Sequence, residues 1–164
     1  MNGRSLYVGI DPGGSGGMAT INAIGDPVAG KMPATERDIW EMIKGWSHCE
    51  PVAVIEKVGG YVGDGEGKGG GRANGSAMFK FGLSYGGLRM ALIAAGIPFE
   101  EISPQTWQKA MKITPKAKDE GRTAWKNRLK AKAQQLHPQL TVTLATADAI
   151  LIAEYCRRKT EGRL

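Results

Sequence analysis

Cysteine and long apolar stretches are both scarce in this sequence of 164 residues. Two cysteines, Cys49 and Cys156, are too few for a disulfide framework or a zinc cluster, and we assign no chemistry to either. No apolar run approaches the roughly 20 residues that a membrane-spanning helix needs, and no basic and apolar leader opens the chain. We therefore expect a soluble cytoplasmic protein with no membrane partner.

Glycine, in contrast, is abundant, with 24 residues in the chain, about double its usual share of ~7%. Nine of these glycines fall within residues 59–75, together with Lys68 and Arg72, and such a stretch can hardly pack a core of its own. We expect a mobile loop over residues 57–75. The remaining composition, with 41% hydrophobic and 23% charged residues, is globular, and the length suits a single domain spanning residues 1–164.

Basic charge is concentrated in one segment of the chain. Residues 109–132 hold nine lysines and arginines against two acidic residues, a local net charge of +7, whereas the whole chain carries only +6. A basic segment on a nearly neutral body is what the phosphate backbone of a nucleic acid attracts. A solvated helix face is the alternative interpretation of the same residues.

The pattern of apolar residues predicts an α/β fold with five strands and helices on both faces of a mixed sheet. We expect strands at residues 5–11, 18–24, 28–32, 51–58 and 98–102, and helices at residues 35–47, 76–95, 105–111, 121–136 and 145–158. The last helix is apolar nearly all round, which is typical of a helix buried against a sheet.

Three acidic residues lie where packing does not explain a charge. Asp11 ends the first strand, Glu56 ends the fourth strand, and Asp148 lies in the first turn of the apolar last helix. Buried charges cost several kcal/mol unless they are paired or bind a metal. If the first and fourth strands are parallel neighbours, Asp11 and Glu56 emerge at the same edge of the sheet, where the last helix could add Asp148.

Each of these acids also has a simpler explanation. Asp11 precedes Pro12 and Gly13 and could begin a turn, Glu56 could pair with Lys57, and the helix dipole favours an acid at the position of Asp148. Taken together, however, three carboxylates form an oxygen-rich site suited to Mg²⁺ or Mn²⁺. Two such ions ~3.5–4 Å apart can stabilise both oxygens of an in-line phosphoryl displacement.

Several motifs in this order resemble one known family. They are Gly-Ile-Asp-Pro-Gly at 9–13, Val-Ile-Glu at 54–56, Ser-Pro-Gln-Thr-Trp-Gln-Lys at 103–109 before the basic loop, and Ala-Asp-Ala-Ile-Leu-Ile-Ala at 147–153. The chain thereby resembles the RuvC-type Holliday-junction resolvases of the RNase H-like superfamily over residues 5–158. The resemblance implies an RNase H-like fold and a homodimeric, metal-dependent endonuclease of DNA recombination and repair that cuts opposed strands of a four-way junction. The small size suits a phage-encoded enzyme acting in an infected bacterial cell.

The resemblance also implies roles for individual residues. Asp11, Glu56 and Asp148 become ligands of Mg²⁺ or Mn²⁺, with two ions per site, and Lys118 becomes a catalytic phosphate contact, with Lys116 in reserve. Tyr61 would stack in the opened junction, although it could equally be an ordinary loop tyrosine. The implied DNA contacts are Tyr61, Lys68, Arg72, Lys116, Lys118, Arg122 and Lys126.

One position departs from the family pattern. The family places an acid or a histidine one helical turn before the last aspartate, where this chain has Ala145, so the second metal ion is in doubt. Three explanations of Ala145 give the same sequence: natural divergence, a site of three carboxylates that is completed by water, and an engineered alanine. Glu154 cannot replace this ligand, because it lies on another side of the helix from Asp148. His137 lies beside Pro138, and we expect it to be a surface residue rather than a ligand.

Three other functions are weighed against a nuclease. A junction-binding protein without appreciable cleavage agrees with Ala145. An actin-like or sugar-kinase ATPase also uses a strand followed by an Asp-x-Gly turn, but that fold needs two such domains, for which 164 residues are too few. A phosphate-binding glycine loop at 63–75 lacks the Gly-Lys-Ser/Thr ending that holds nucleotide phosphate and magnesium.

Overall fold

Two parallel strands form the centre of the sheet. In the computed structural model, which describes residues 6–57 and 75–164, β1 (Leu6–Asp11) pairs with β4 (Pro51–Glu56) with Gly9 opposite Val54. The condition on which the shared edge of Asp11 and Glu56 depends, that the first and fourth strands are parallel neighbours, is therefore met. This pairing brings the carboxyl ends of both strands to the same edge of the sheet.

The remaining strands extend this pair in both directions. β2 (Gly17–Asn22) runs antiparallel to β1, β3 (Pro27–Lys31) antiparallel to β2, and β5 (Phe99–Ile102) parallel to β4. The sheet order is β3-β2-β1-β4-β5, which is a mixed five-stranded sheet as predicted.

Five α-helices and a short 3₁₀ helix (Ser47–Cys49) complete the described part of the chain; the α-helices are α1 (Glu36–Trp46), α2 (Gly75–Ala94), α3 (Pro104–Ala110), α4 (Arg122–Leu136) and α5 (Ala147–Thr160). The predicted elements are present, and their ends differ from the predicted ends by at most two residues. Local signals account for two of the helix starts. Thr35 caps α1 by accepting a hydrogen bond from the backbone N–H of Asp38 at 3.1 Å, and Ser103 caps α3 just before a proline in the first turn.

Side chains on the strands alternate between two helical layers. Val8 and Ile10 of β1 join Ile55 of β4 in the core under α1 and α2, whereas Tyr7 and Val54 face the core under α3, α4 and α5. The same period of two directs Asp11 and Glu56, at the ends of these strands, toward the layer of α3, α4 and α5. The alternation thus decides which helices can reach the two acids.

The buried helix α5 lies directly on β1, as its apolar sequence predicts. Its residues 147–156 are buried. At the contact point β1 has Gly9, where a Cβ atom would lie 2.2 Å from the backbone N of Ala153 and 2.3 Å from the carbonyl oxygen of Ala149. Only glycine allows this approach, which holds the first turn of α5 beside the end of β1.

Candidate active site

The three predicted acids meet on one side of the sheet edge. Asp11 and Glu56 end the neighbouring strands β1 and β4, and Asp148 lies in the first turn of α5, which crosses β1 at Gly9. The carboxylates are close enough that the charges of Asp148 and Glu56 both raise the pKa of Asp11. The topology thus brings together acids that are 45 and 92 residues apart in sequence.

Burial and like charge shape the acidity of this cluster. Burial, followed by the charges of Asp148 and Glu56, raises the pKa of Asp11 to about 7. Burial also raises the pKa of Glu56, which a hydrogen bond from Trp107 partly offsets. Without a bound cation, the cluster thus resists carrying its full negative charge near neutral pH.

Trp107 is a site residue that the sequence analysis did not single out. It is fully buried on α3, and its indole Nε1 donates a hydrogen bond to Oε2 of Glu56 at 2.8 Å. The motif at 103–109 contained the signal, since Ser103 and Pro104 fix the start of α3 and hence the position of this side chain. The bond orients Oε2 of Glu56, whereas the other oxygen accepts no hydrogen bond from the residues that the structure describes.

Lys126 enters the cluster from α4. Its ammonium group forms an ion pair with Oδ2 of Asp148, which is 6% exposed. Burial lowers the pKa of Lys126, but the hydrogen bond and charge of Asp148, together with the charges of Asp11 and Glu56, raise it overall. The predicted role of Lys126 was DNA contact; the structure places the residue against a carboxylate of the candidate site.

The donor chemistry of this cluster fits a hard divalent cation. Oδ1 of Asp148 is buried and accepts no hydrogen bond from the described residues, so it is a free carboxylate oxygen. The fit is incomplete, because no three acidic, histidine or cysteine side chains within residues 6–57 and 75–164 converge closely enough to hold an ion. Lys126 occupies the other oxygen of Asp148, and Trp107 occupies one oxygen of Glu56.

An open cavity of about 530 Å³ lies beside the acids. Asp11 and Ala145 line it, and Lys31, Arg122 and Lys126 contribute positive charge to its wall. Lys31, at the end of β3, was not among the predicted site residues, because only the pairing of β3 with β2 carries it to this edge. A negatively charged strand could enter here between basic side chains and the acid cluster.

The basic segment divides into free and structural residues. Lys116 and Lys118 are exposed between α3 and α4, and Arg122 is exposed at the start of α4. Arg128 instead fixes the loop: it bonds both carboxylate oxygens of Glu120 and the carbonyl oxygens of Thr114 and Pro115. Its guanidinium group also lies 4.6 Å from the centre of the Trp125 ring.

Three predicted DNA contacts, Tyr61, Lys68 and Arg72, lie outside the described residues, as does the core of the predicted glycine-rich loop. Their roles remain predictions.

The expectation that His137 is a surface residue is wrong. His137 caps the end of α4 and is only 3% exposed, and its Nε2 lies 3.6 Å from Oε2 of the buried Glu154. The neighbouring Pro138 suggested a turn on the surface, but the carbonyl groups around it bond Gln134 and hold the segment against the protein. Since Glu154 engages His137, neither residue replaces the ligand missing at Ala145.

Comparison with solved structures finds the same arrangement of strands and helices in two structures of Thermus thermophilus RuvC. One, RuvC in complex with Holliday junction substrate, matches with a TM-score of 0.62 and 15% identity over 97% of this chain and 97% of its own. The other matches with a TM-score of 0.58 and 17% identity over 96% and 97%. The chain has the RuvC fold. No sequence-family model matches it, and no similar sequence is found among curated proteins.

The RuvC fold confirms the RNase H-like fold predicted from the sequence. Identities of 15% and 17% establish the fold alone. They do not establish the activity of this RuvC-like chain or the roles of its acids. The comparisons give no support to the predicted phage origin. Within the described residues, no helix is long and apolar enough to cross a membrane.

Proposed function

We propose that this RuvC-like protein is a metal-dependent endonuclease that resolves four-way DNA junctions by paired nicks on opposed strands. The observation that carries the proposal is that Asp11, Glu56 and Asp148 lie at one edge of the sheet, near enough for their charges to interact, beside a basic-walled cavity in a chain with the RuvC fold. The similar structure from T. thermophilus contains a Holliday junction substrate, which supports DNA of this shape as the ligand.

In the proposed mechanism, Asp11, Glu56 and Asp148 would hold Mg²⁺ or Mn²⁺ after drawing closer together than they stand here, where no three such side chains of residues 6–57 and 75–164 are close enough to hold an ion. When bound, the divalent ion would supply the Lewis acidity that activates water for attack on phosphorus. Glu56 is oriented by Trp107, and Asp148 offers its free Oδ1. Asp11, whose pKa is raised to about 7, would lose its residual proton as a cation binds.

The basic residues provide the DNA contacts in this proposal. Arg122 and Lys126 line the cavity beside the acids. Lys116 and Lys118 are exposed on the adjoining loop, and their positive charges can offset the charge on phosphate oxygens. Tyr61, Lys68 and Arg72 are proposed to contact the junction as well, with Tyr61 stacking on an unpaired base.

The exposed face of α2 supports the proposed homodimer. Phe79, Leu83, Met90 and Ile93 are 68%, 53%, 60% and 57% exposed, and with Gly86 they are spaced alternately by four and three residues. This is the spacing of a helix seam that packs on another helix, and Gly86 at its centre permits close approach. A second copy using the same face would bury both seams around a twofold axis, which opposed cuts require.

The oligomeric state tests this interface directly. We expect sedimentation velocity to show a dimer for the wild type and a monomer for Leu83→Glu. The control is Met42→Glu, which places the same charge at an exposed apolar residue of α1 and should leave the dimer intact. A dimeric Leu83→Glu variant would place the interface elsewhere.

Binding to junctions without cleavage is the alternative function, and Ala145 is the observation that favours it. Ala145 lines the cavity but offers no side-chain ligand, and Lys126 already neutralises Asp148. Both functions predict salt-sensitive binding to branched DNA, so only cleavage separates them.

The deciding experiment incubates the protein with a labelled immobile four-way junction, with and without Mg²⁺ or Mn²⁺. We expect symmetric nicks that leave ligatable duplexes. Asp11→Asn should abolish the nicks and preserve junction affinity, whereas Asp26→Asn, an exposed aspartate at the turn between β2 and β3, should cut normally. Tight binding without nicks in either metal would establish the alternative.

A further inference from the structure

A second basic cleft lies between α4 and the chain that follows α3. It has a volume of about 410 Å³. Arg128, Lys132 and Gln135 of α4 line one side of it, and Lys112 and Thr114 line the other. Among the described residues, none lines both this cleft and the cavity beside the acids, so the two are separate sites.

The cleft and the acids use different faces of α4. Lys126 lines the cavity beside the acids, and Lys132, six residues later, lines the cleft. At about 100° per residue, these two side chains lie about 120° apart around the helix axis. A ligand in the cleft and a ligand at the acids would therefore contact different sides of the helix.

The cleft carries positive charge that no carboxylate balances. Arg128 is neutralised by Glu120, since it bonds both carboxylate oxygens of that residue. In the described part of the chain, Lys112 and Lys132 form no ion pair, and no acidic side chain lines the cleft. The amide group of Gln135 adds a hydrogen-bond donor. Two free ammonium groups beside a neutral donor are a lining suited to phosphate oxygens.

Lys112 has a strained backbone conformation. The turn that ends α3 is closed by two bonds, from the N–H of Lys112 to the carbonyl oxygen of Lys109 at 3.0 Å and from the N–H of Ile113 to that of Gln108 at 2.9 Å. Lys112 has a φ of 56°, the left-handed conformation in which such a turn usually has glycine. Glycine would form the turn without steric cost, so the lysine side chain serves a purpose other than stability.

We propose that this cleft binds the phosphate backbone of a second arm of a four-way junction, through Lys112 and Lys132, while another arm lies at the acids. The inference rests on the proposed function for DNA as the ligand, but it needs neither metal nor cleavage. Arg122, beside the acids, and Lys132 are ten residues apart, about 15 Å along α4. Repeated negative charge over such a length favours DNA over a short acidic protein segment.

Binding to labelled DNA in the presence of a chelator tests the inference by fluorescence anisotropy. Lys112→Gly removes the side chain and relieves the left-handed strain, so its melting temperature should rise by about 2 °C. Its affinity for a four-way junction should nevertheless fall by about threefold or more, and the slope of log affinity against log salt should fall by about 1. Lys132→Met should weaken binding to the same extent. A purely structural role of Lys112 would move stability and affinity in the same direction.

The matched control is Glu50→Gly. Glu50 is exposed before β4 and, apart from Lys112, is the other non-glycine residue of the described chain with a left-handed backbone, at a φ of 46°. This variant should also melt at a higher temperature, but it should keep the wild-type salt slope. Wild-type affinity and slope in both Lys112→Gly and Lys132→Met would contradict the inference, as would an equal fall of the slope in Glu50→Gly.

A linear duplex with the sequence of one arm tests whether the cleft holds a second arm. Lys112→Gly should weaken binding to the junction more than binding to the duplex, so that the ratio of the two affinities falls by about threefold. Equal losses on both DNAs would place the cleft and the acids on one arm and contradict the inference. Loss of polyglutamate binding with unchanged junction binding would also contradict it and assign the cleft to an acidic protein segment.

Failure of the proposed function gives a different result from failure of this inference. A protein that never cuts junctions in Mg²⁺ or Mn²⁺ can still show the losses expected for Lys112→Gly and Lys132→Met, which would support the inference alone. Junction cleavage by a protein whose binding is unaffected by both variants would contradict the inference and leave the proposed function intact.

Discussion

Trp107 donates a hydrogen bond from its indole Nε1 to Oε2 of Glu56 at 2.8 Å and thereby links α3 to the end of β4. The indole is fully buried, and Glu56 is half-buried beside it. A buried carboxylate at a strand end can turn in several directions, and this bond selects one of them. We conclude that Trp107 positions Glu56 for the proposed site.

Trp107→Phe should keep most of the apolar packing and lose this bond. We expect a loss of about 1–3 kcal/mol in the free energy of unfolding, from the smaller ring and the unpaired carboxylate. The pKa of Glu56 should rise further, because burial already raises it and the bond from Trp107 lowers it. Metal-supported junction cleavage should weaken while junction affinity remains. Urea unfolding and a cleavage assay measure the two effects.

The control for this variant is Trp46→Phe, which shortens a partly buried tryptophan in the layer of α1 and α2. It should reduce stability without changing cleavage at saturating metal. If both variants cut junctions at the wild-type rate, Trp107 has no positioning role.

Gly9 is the position where β1 and α5 touch, and we predict that Gly9→Ala is strongly destabilising. The added methyl group would meet the backbone of Ala149 and Ala153 at 2.2–2.3 Å, and backbone cannot move aside as a side chain can. We expect a cost of about 3 kcal/mol or more in the free energy of unfolding. Denaturant unfolding measures it, with Gly30→Ala in β3, where a Cβ meets nothing within 4 Å, as the control.

Gly9 also shows how far the sequence predicts this fold. The apolar runs of β1 and β4 and the all-round apolar α5 predict the strands, the buried helix and the shared edge of Asp11 and Glu56. These follow from local periods and from the rule that parallel strands end at one edge. The structure confirms them, and the fold comparison agrees.

The contacts that complete the site depend on how the helices cross one another. The periodicity of apolar residues along a single helix does not predict this crossing. The periodicity of α4 places Lys126 on a basic face, but only the crossing of α4 and α5 brings its ammonium group to Asp148. In the sequence, Trp107 is simply an apolar residue of a short helix. Its bond to Glu56 depends on how α3 packs against the end of β4. His137 was misplaced for the same reason, since its partner Glu154 is on another helix.

Glu154 makes the stability of this protein depend on acidity. Burial alone would raise the pKa of Glu154, but its contact with His137, whose Nε2 lies 3.6 Å from Oε2, and the hydrogen bonds from Arg157 and Arg158 outweigh burial and lower the pKa to about 2. A lowered pKa means that the folded state binds fewer protons than the unfolded state. The stabilisation is therefore present above the ordinary glutamate pKa of about 4.5 and is lost as the pH falls toward 2.

The variant Glu154→Gln isolates this contribution. At pH 7 it should unfold more easily than the wild type by on the order of 3 kcal/mol, and the difference should shrink steadily below about pH 4.5. Urea unfolding at pH 7, 5 and 3.5 measures it, with Glu41→Gln on the exposed face of α1 as the control. A difference that stays constant over this range would show that the loss arises from packing rather than charge.

Basic residues of the segment 109–132 should divide into two classes when junction binding is measured against salt concentration. Lys118 and Arg122 are exposed, so Lys118→Ala and Arg122→Ala should each lower the slope of log affinity against log salt by about 1. Arg128 is held by Glu120 and two carbonyl groups, and Arg128→Ala should instead lower the melting temperature.

Lys44→Ala, in the last turn of α1, is the control for a lysine away from the basic segment, and its salt slope should equal that of the wild type. Fluorescence anisotropy with a labelled four-way junction measures the slopes. Salt concentrations between about 50 and 300 mM span about a sixfold range. If Lys44→Ala lowers the slope as much as Lys118→Ala does, then the attraction comes from the total charge of the protein. A slope that changes only in Lys118→Ala and Arg122→Ala locates the DNA path over the loop and the start of α4, beside the acids.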